Sequence, residues 1–138
     1  MITINASKLV FNSVFATLVV GCSAISAHGP DDDFSWANTS QGRVLANAAG
    51  MTLYTFDKDS AGQSNCYNQC AALWPPALVS PHALAEAPYS IVERTDGTQQ
   101  WAYQGKPLYT WIKDTKTGDI TGDGVKGVWH IIMSTSGY

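Results

Sequence analysis

Two closely spaced cysteines, Cys66 and Cys70, are the residues of this chain with the clearest capacity for chemistry. The third cysteine, Cys22, lies far from them near the N-terminus. In an exported protein, a close cysteine pair most often forms a disulfide. The pair could instead bind Cu(I), because thiolates are soft ligands, with His82 or His130 completing the site. The sequence therefore predicts a disulfide, with copper binding or thiol redox chemistry as the alternative.

Two aspartates, Asp59 and Asp114, occupy matching places in two similar segments. Each lies three residues after an aromatic residue, Phe56 or Trp111, where a strand is expected to end. Aspartate at such a place commonly accepts backbone N–H groups of the following turn. A paired acidic site across a symmetry axis is the functional alternative. We favour the structural role, because duplication of a folding unit also duplicates its restraints.

No other residue pattern indicates catalysis. The chain has no G-x-S-x-G motif, and no histidine lies near a serine in a nucleophile context. A disulfide-bonded cysteine has no thiolate for nucleophilic attack. We therefore expect no catalytic residue, no bound metal and no cofactor, and a protein that is not an enzyme.

Both aspartates belong to an internal duplication. Residues 53–59 align with residues 108–114 when the chain is shifted by 55 positions without a gap. A period of this kind usually means one supersecondary unit built twice. The repeated motif residues are Tyr54, Phe56, Asp59 and Trp74 in the first copy and Tyr109, Trp111, Asp114 and Trp129 in the second.

Strand-like runs surround each copy of the motif. Residues 43–46 and 51–56 flank a loop that ends in Gly50, and residues 99–103 and 107–112 flank a second short turn. An isolated hairpin is only marginally stable in water, so we expect the two units to pack face to face. The predicted fold is mainly β: two tandem antiparallel hairpin repeats packed as a compact pseudo-twofold domain with little helix.

The N-terminal part of the chain has the features of an export signal. Lys8 precedes a mostly apolar run over residues 9–21 that is too short to span a membrane. The sequence before Cys22 is similar to a lipobox, in which Cys22 would be lipidated, and cleavage after Ala27 is the alternative. The predicted organisation is a signal peptide over 1–22, a flexible tether over 23–41 and a two-repeat β domain over 42–138, with repeat one at 42–80 and repeat two at 95–135.

The charge of the chain limits its partners. The formal net charge is −3 at pH 7, and lysine and arginine are not clustered, so nucleic-acid binding is not expected. No second apolar run exists, so we expect membrane contact only through an N-terminal lipid anchor. We expect a monomer, with a ligand that the sequence does not identify.

The motif also resembles a known family. The pattern Tyr-x-(Phe or Trp)-x-x-Asp at residues 54–59 and 109–114 matches the signature of small bacterial lipoproteins called the secreted repeat of unknown function. The resemblance covers roughly residues 42–133. It implies an exported or lipid-anchored protein of the periplasm or outer membrane, or a secreted one, and it implies no activity. We therefore expect an exported cell-envelope protein with a structural or binding role.

Overall fold

A computed structural model of the protein describes residues 26–136 and five isolated positions before them. Those positions are Val14, Ala16, Thr17, Gly21 and Ala24. The predicted lipidation residue Cys22 and most of the predicted signal peptide lie outside the described residues. None of the helices found in the described part has the length and apolar character needed to cross a bilayer.

The described chain is built mainly from short antiparallel strands. Strand β1 pairs with β2, β3 pairs with β7, and β5 pairs with both β4 and β6. The predicted mainly β class is therefore confirmed. The elements are β1 (Phe34–Thr39), β2 (Gly42–Asn47), β3 (Tyr54–Phe56), helix α1 (Gln69–Leu73), β4 (Tyr89–Glu93), β5 (Gln99–Tyr103), β6 (Lys106–Pro107) and β7 (Trp129–Ile131), with 3₁₀ turns at Pro30–Asp32 and Val125–Gly127.

A pseudo-twofold axis passes between Tyr54 and Tyr109. The amide N–H of Tyr54 donates to the carbonyl of Tyr109 at 2.8 Å, and the amide N–H of Tyr109 donates to the carbonyl of Tyr54 at 3.0 Å. The two residues are equivalent in the two repeats, so rotation about the axis exchanges them and reproduces the bonds. The predicted pseudo-twofold arrangement of two repeats is therefore confirmed.

The repeats exchange their last segments. Strand β7 ends repeat two, yet it pairs with β3 of repeat one. In return, the carbonyl of Ala77 in repeat one accepts the amide N–H of Trp101 in repeat two at 2.8 Å. The equivalent bond runs from the amide N–H of Leu45 to the carbonyl of Ile132 at 2.9 Å. The two repeats thus share their sheets, whereas the sequence analysis expected closed hairpins that meet face to face.

Strand β1 corrects the predicted domain boundary. The sequence analysis placed a flexible tether over 23–41, but Phe34–Thr39 is a strand that pairs with β2 along its whole length. The acidic run before it hid the apolar alternation of Phe34 and Trp36 with polar neighbours. Phe34 also stacks on the Tyr89 ring, with ring centroids 4.2 Å apart, which ties β1 to β4. The domain therefore begins before β1.

The two repeats are offset by 55 residues in most elements and by 56 in β2 and β5. The amide N–H of Leu53 donates to Leu45, and the amide N–H of Leu108 donates to Trp101, each at 2.9 Å. The donor residues, Leu53 and Leu108, are 55 positions apart in sequence. The acceptor residues, Leu45 and Trp101, are 56 positions apart. The turn before β3 is therefore one residue longer in repeat one, which an ungapped alignment cannot reveal.

Helix is scarce, as predicted. Residues 81–87, between the repeats, have turns and an isolated bridge. The one α-helix of the described residues follows the first cysteine of the pair, at Gln69–Leu73. Pro75 and Pro76 come soon after it, and proline cannot continue a helix because it lacks a backbone donor.

Among the residues that the structure describes, the interior has two cores, and each contains residues from both repeats. The first, which we call the aromatic core, surrounds the axis beside the motif. Its buried members are Tyr54, Cys66, Trp74, Tyr109, Trp111 and Trp129. The second, the aliphatic core, has Leu45, Leu53, Trp101 and Leu108 as its buried members. Because neither repeat can complete a core alone, burial of apolar surface holds the repeats together.

Candidate functional site

The motif aromatics form one continuous stack across the axis. The rings follow the order Phe56, Trp129, Trp74, Trp111, with centroid separations of 4.2, 3.8 and 4.0 Å. Rotation exchanges Trp74 with Trp129 and Phe56 with Trp111, so the axis crosses the middle of the stack. The three tryptophans are buried. The three tryptophans of the stack are therefore core residues and do not form an open binding surface.

The motif tyrosines bind the aspartates of the opposite repeat. The hydroxyl of Tyr54 donates to Asp114 Oδ2 at 2.6 Å, and the hydroxyl of Tyr109 donates to Asp59 Oδ2 at 2.7 Å. A buried hydrogen bond to a carboxylate is stronger than one between neutral groups. The motif thus encodes a reciprocal link between the repeats, which the sequence analysis did not foresee.

The second oxygen of each motif carboxylate binds the turn that follows it. Asp59 Oδ1 accepts the amide N–H of Asn65 at 2.7 Å, and Asp114 Oδ1 accepts the amide N–H of Thr121 at 3.0 Å. These are the turn bonds that the sequence analysis favoured for both aspartates. Both oxygens of each carboxylate are therefore occupied, and the two aspartates lie in separate bonds rather than in one acidic site.

The motif hydroxyl groups are held in their protonated form. Burial is the largest cause that raises the pKa of Tyr54 far above its ordinary value, and the bond to Asp114 raises it further. Burial likewise raises the pKa of Tyr109. Burial also raises the pKa of Asp59. A phenol of raised pKa is a donor and a poor base at neutral pH, so these tyrosines act as structural links.

A buried arginine extends this arrangement on one side of the axis only. Arg94 donates to Ser64 Oγ at 2.9 Å, and Ser64 Oγ lies 2.7 Å from the hydroxyl of Tyr109. The other terminal nitrogen of Arg94 donates to the carbonyl of Cys66 at 2.8 Å. A hydrogen-bonded chain therefore connects the guanidinium to the Asp59 carboxylate, which compensates the buried charge. No pattern in the sequence indicated this series of hydrogen bonds.

Cys66 and Cys70 are joined by a disulfide. Cys66 belongs to the aromatic core, so the bond attaches the loop before α1 to the interior. In this form neither sulfur is a thiolate that could bind Cu(I) or attack a substrate. Within residues 26–136, no group of three or more histidine, cysteine, aspartate or glutamate side chains is positioned to hold a metal ion.

A groove beside β3 is the strongest candidate for a binding site. Two adjoining depressions of about 250 and 220 Å³ form it, with one wall from β3 and the paired strand β7 and the other from residues 103–107. We call it the polar groove and define it by Thr55, Asp57, Asp59, Gln104, Lys106 and His130. A larger depression of about 680 Å³ lies at the β1–β2 turn, but Arg43 is the only charged residue in its lining.

The charges of the polar groove are arranged on opposite walls. His130 Nε2 lies 2.7 Å from Asp57 Oδ2, and both side chains are about half exposed. Lys106 is exposed and makes no ion pair with any residue that the structure describes. The Thr55 hydroxyl has no hydrogen-bond partner among residues 26–136 either. The sequence analysis considered His130 as a possible copper ligand. It missed Asp57, which is a variable position of the motif, and Lys106, which lies outside the motif.

The equivalent groove on the other side of the axis lacks these charges. It is a depression of about 380 Å³ whose lining includes Thr110, Ala49 and Pro76, with Asp33 as its only charged residue. In sequence, Ile112, Met51 and Pro75 correspond to Asp57, Lys106 and His130, and none of the three lines this depression. The duplicated framework is therefore similar on both sides, apart from the turn that is one residue longer in repeat one, while the side chains have diverged.

The comparison with known families agrees with the two repeats. A sequence profile of the family described as the secreted repeat of unknown function matches the chain twice, at residues 35–78 and 90–133. Together the matches cover more than half of the chain. They begin within β1 and β4, ahead of the predicted repeat starts at 42 and 95. No curated protein and no solved structure matches the chain.

Proposed function

This chain belongs to the family described as the secreted repeat of unknown function, and from that premise we propose that it is an exported, monomeric and non-enzymatic binding module whose ligand site is the polar groove. The family description supports export. The geometry supports a site at the junction of the repeats, where clefts that bind small molecules are often found.

The main support for this proposal is that the side chains of the two equivalent grooves differ. Both grooves are built on the same duplicated framework, so the fold itself does not require charged residues at these positions. Asp57, Lys106 and His130 nevertheless replace the uncharged residues of the other repeat. Polar groups gathered on one side of a symmetric framework are explained most simply by a ligand that contacts them.

The absence of a complete catalytic arrangement from the groove supports the proposal that the module is non-enzymatic. Among residues 26–136, no serine, threonine or cysteine side chain hydrogen-bonds the His130 ring, whose partner is Asp57. The groups with the most perturbed pKa values, Tyr54 and Tyr109, are buried in the aromatic core and not exposed to the groove. A substrate would therefore meet no activated nucleophile in the groove.

Nuclear magnetic resonance of the isotope-labelled protein tests this function. The protein is titrated with three probes of different chemistry, namely L-alanyl-L-alanine, maltose and inorganic phosphate. We expect at least one probe to shift the amide signals of Thr55, Asp57, Gln104, Lys106 and His130, while the probe itself stays chemically unchanged during incubation. If no probe shifts these signals, or if a probe is converted, the proposal is wrong.

Variants that copy the other repeat provide the control. Asp57→Ile and Lys106→Met place in the polar groove the residues found at equivalent positions. We expect each to weaken binding by about tenfold or more, seen as smaller shifts at the same probe concentration, without changing the melting temperature. Ile112→Asp makes the opposite change at an exposed site outside the groove. Binding should be the same in Ile112→Asp as in the unchanged protein.

We also propose that the protein is anchored in the cell envelope by a lipid on Cys22. The apolar run over residues 9–21 and the small residue before Cys22 support this attachment. Cells that express the protein with a labelled fatty acid should yield labelled protein in the membrane fraction. Cys22→Ser should yield unlabelled protein. Equal labelling of both proteins, or of neither, would overturn the anchor.

A further inference from the structure

The polar groove presents opposite charges that do not neutralise each other. Asp57 and Lys106 line both of its depressions, yet no salt bridge joins them in the described part of the chain. The two charged groups therefore make no direct contact, and each belongs to a different wall of the groove. A pair of opposite charges across an open cleft attracts a molecule that carries the complementary charges at its two ends.

The acceptor on the first wall is one oxygen of Asp57. Asp57 Oδ2 is occupied by His130 at 2.7 Å, which leaves Oδ1 free to accept from a ligand cation. Asp59 cannot serve in the same way, because its two oxygens accept from Tyr109 and Asn65. One carboxylate oxygen, and not an acidic cluster, is thus available on this wall.

The donors on the second wall are Lys106 and the Gln104 amide. Both side chains are exposed beside the groove and both line its two depressions. An ammonium and an amide N–H together suit a carboxylate. In the same lining, Phe56 and Ile131 contribute partly buried apolar surface that a small side chain could cover.

From this arrangement, and resting on the proposed function of the groove, we infer that the polar groove binds a zwitterionic amino acid or short peptide. The ligand ammonium lies at Asp57 Oδ1 and its carboxylate lies at Lys106. The combined space of about 250 and 220 Å³ suits a ligand of one or two small residues.

Capped dipeptides test the inference by removing one charge at a time. Binding of L-alanyl-L-alanine is compared by titration with that of its N-acetyl form, which lacks the ammonium, and its amide form, which lacks the carboxylate. We expect each cap to weaken binding by about tenfold or more, because a charge-assisted hydrogen bond is lost. Equal binding of the capped and free peptides would show that the groove does not recognise a zwitterion.

Two variants assign each charge to its wall. Lys106→Met should weaken the free peptide by about tenfold but leave the amide form unchanged, since that form has no carboxylate to lose. Asp57→Asn should weaken the free peptide but leave the N-acetyl form unchanged. Lys126→Met and Asp32→Asn alter exposed charges outside the groove and should change nothing.

The probes also separate this inference from the function on which it depends. If maltose or phosphate shifts the groove signals and the free dipeptide does not, the groove is a binding site but the ligand is not a zwitterion. If no probe of any class shifts the groove signals, both the ligand class and the binding function are wrong.

Discussion

The reciprocal bonds between Tyr54 and Asp114 and between Tyr109 and Asp59 explain the spacing of the repeated motif. The tyrosine lies at the axis, where the repeats meet, and the aspartate follows five residues later at the start of a turn. The aromatic residue between them packs in the stack. One motif therefore supplies a donor, a packing surface and an acceptor, and each donor meets the acceptor of the other copy.

Removal of either motif hydroxyl should destabilise the protein. Tyr54→Phe or Tyr109→Phe leaves a largely buried carboxylate oxygen without its donor, at a cost of about 1–3 kcal/mol in the free energy of unfolding. Chemical denaturation measures this change. Tyr89→Phe is the matched control, because the Tyr89 hydroxyl has no hydrogen bond within residues 26–136, and it should cost no more than about 0.5 kcal/mol. Equal effects of all three changes would contradict the structural role of the bonds.

Alkaline pH should unfold the protein through the same two hydroxyl groups. Burial raises the pKa of Tyr54 and Tyr109 in the folded state, whereas both ionise near their ordinary value of about 10 when unfolded. The unfolded state therefore loses protons first, so the stability from these groups is complete below about pH 10 and falls as the pH rises further. Tyrosinate absorbance should show two tyrosines that ionise only on unfolding. If every tyrosine titrated freely in the folded protein, the assignment would fail.

At the scale of elements, the sequence predicted the strands around the motif better than their partners. Hydrophobic runs and turn glycines located β2, β3 and β5, because those signals are local. The pairing of β3 with β7 depends on the exchange of segments between repeats, which no local pattern encodes. Strand β1 was missed because the acidic residues before it dominated the local composition.

The disulfide should matter most for the loop between β3 and α1. Without the Cys66–Cys70 bond, a short loop gains freedom in the unfolded chain, and the chain-entropy estimate for a loop of this size is about 2 kcal/mol. Cys66→Ser/Cys70→Ser should lower the free energy of unfolding by about that amount. A reducing agent should lower the stability of the unchanged protein equally and should not affect the variant. A variant as stable as the unchanged protein would show that the bond does not restrain the fold.

At the scale of the whole molecule, the duplication made the architecture predictable and left the site hidden. The two copies of the motif indicate two units related by an axis, because equivalent sequences adopt equivalent structures. The polar groove arises where the copies differ, at Asp57, Lys106 and His130. These residues are distant in sequence, and Lys106 and His130 lie outside the motif while Asp57 is one of its variable positions, so only the fold brings them together. The residues that the two copies share thus form the framework, and the residues that differ between the copies form the candidate binding site.

The same interdependence predicts one cooperative unfolding transition for the whole domain. Both cores contain residues from both repeats, and the exchanged segments complete each other's sheets. Loss of one repeat would therefore expose the cores and sheet edges of the other, so a state with only one folded repeat should not accumulate. Differential scanning calorimetry should give a single peak, with calorimetric and van't Hoff enthalpies in a ratio of about one. Two peaks, or a ratio of about two, would mean that the repeats unfold as separate units, and the exchange of segments would then contribute little to their stability.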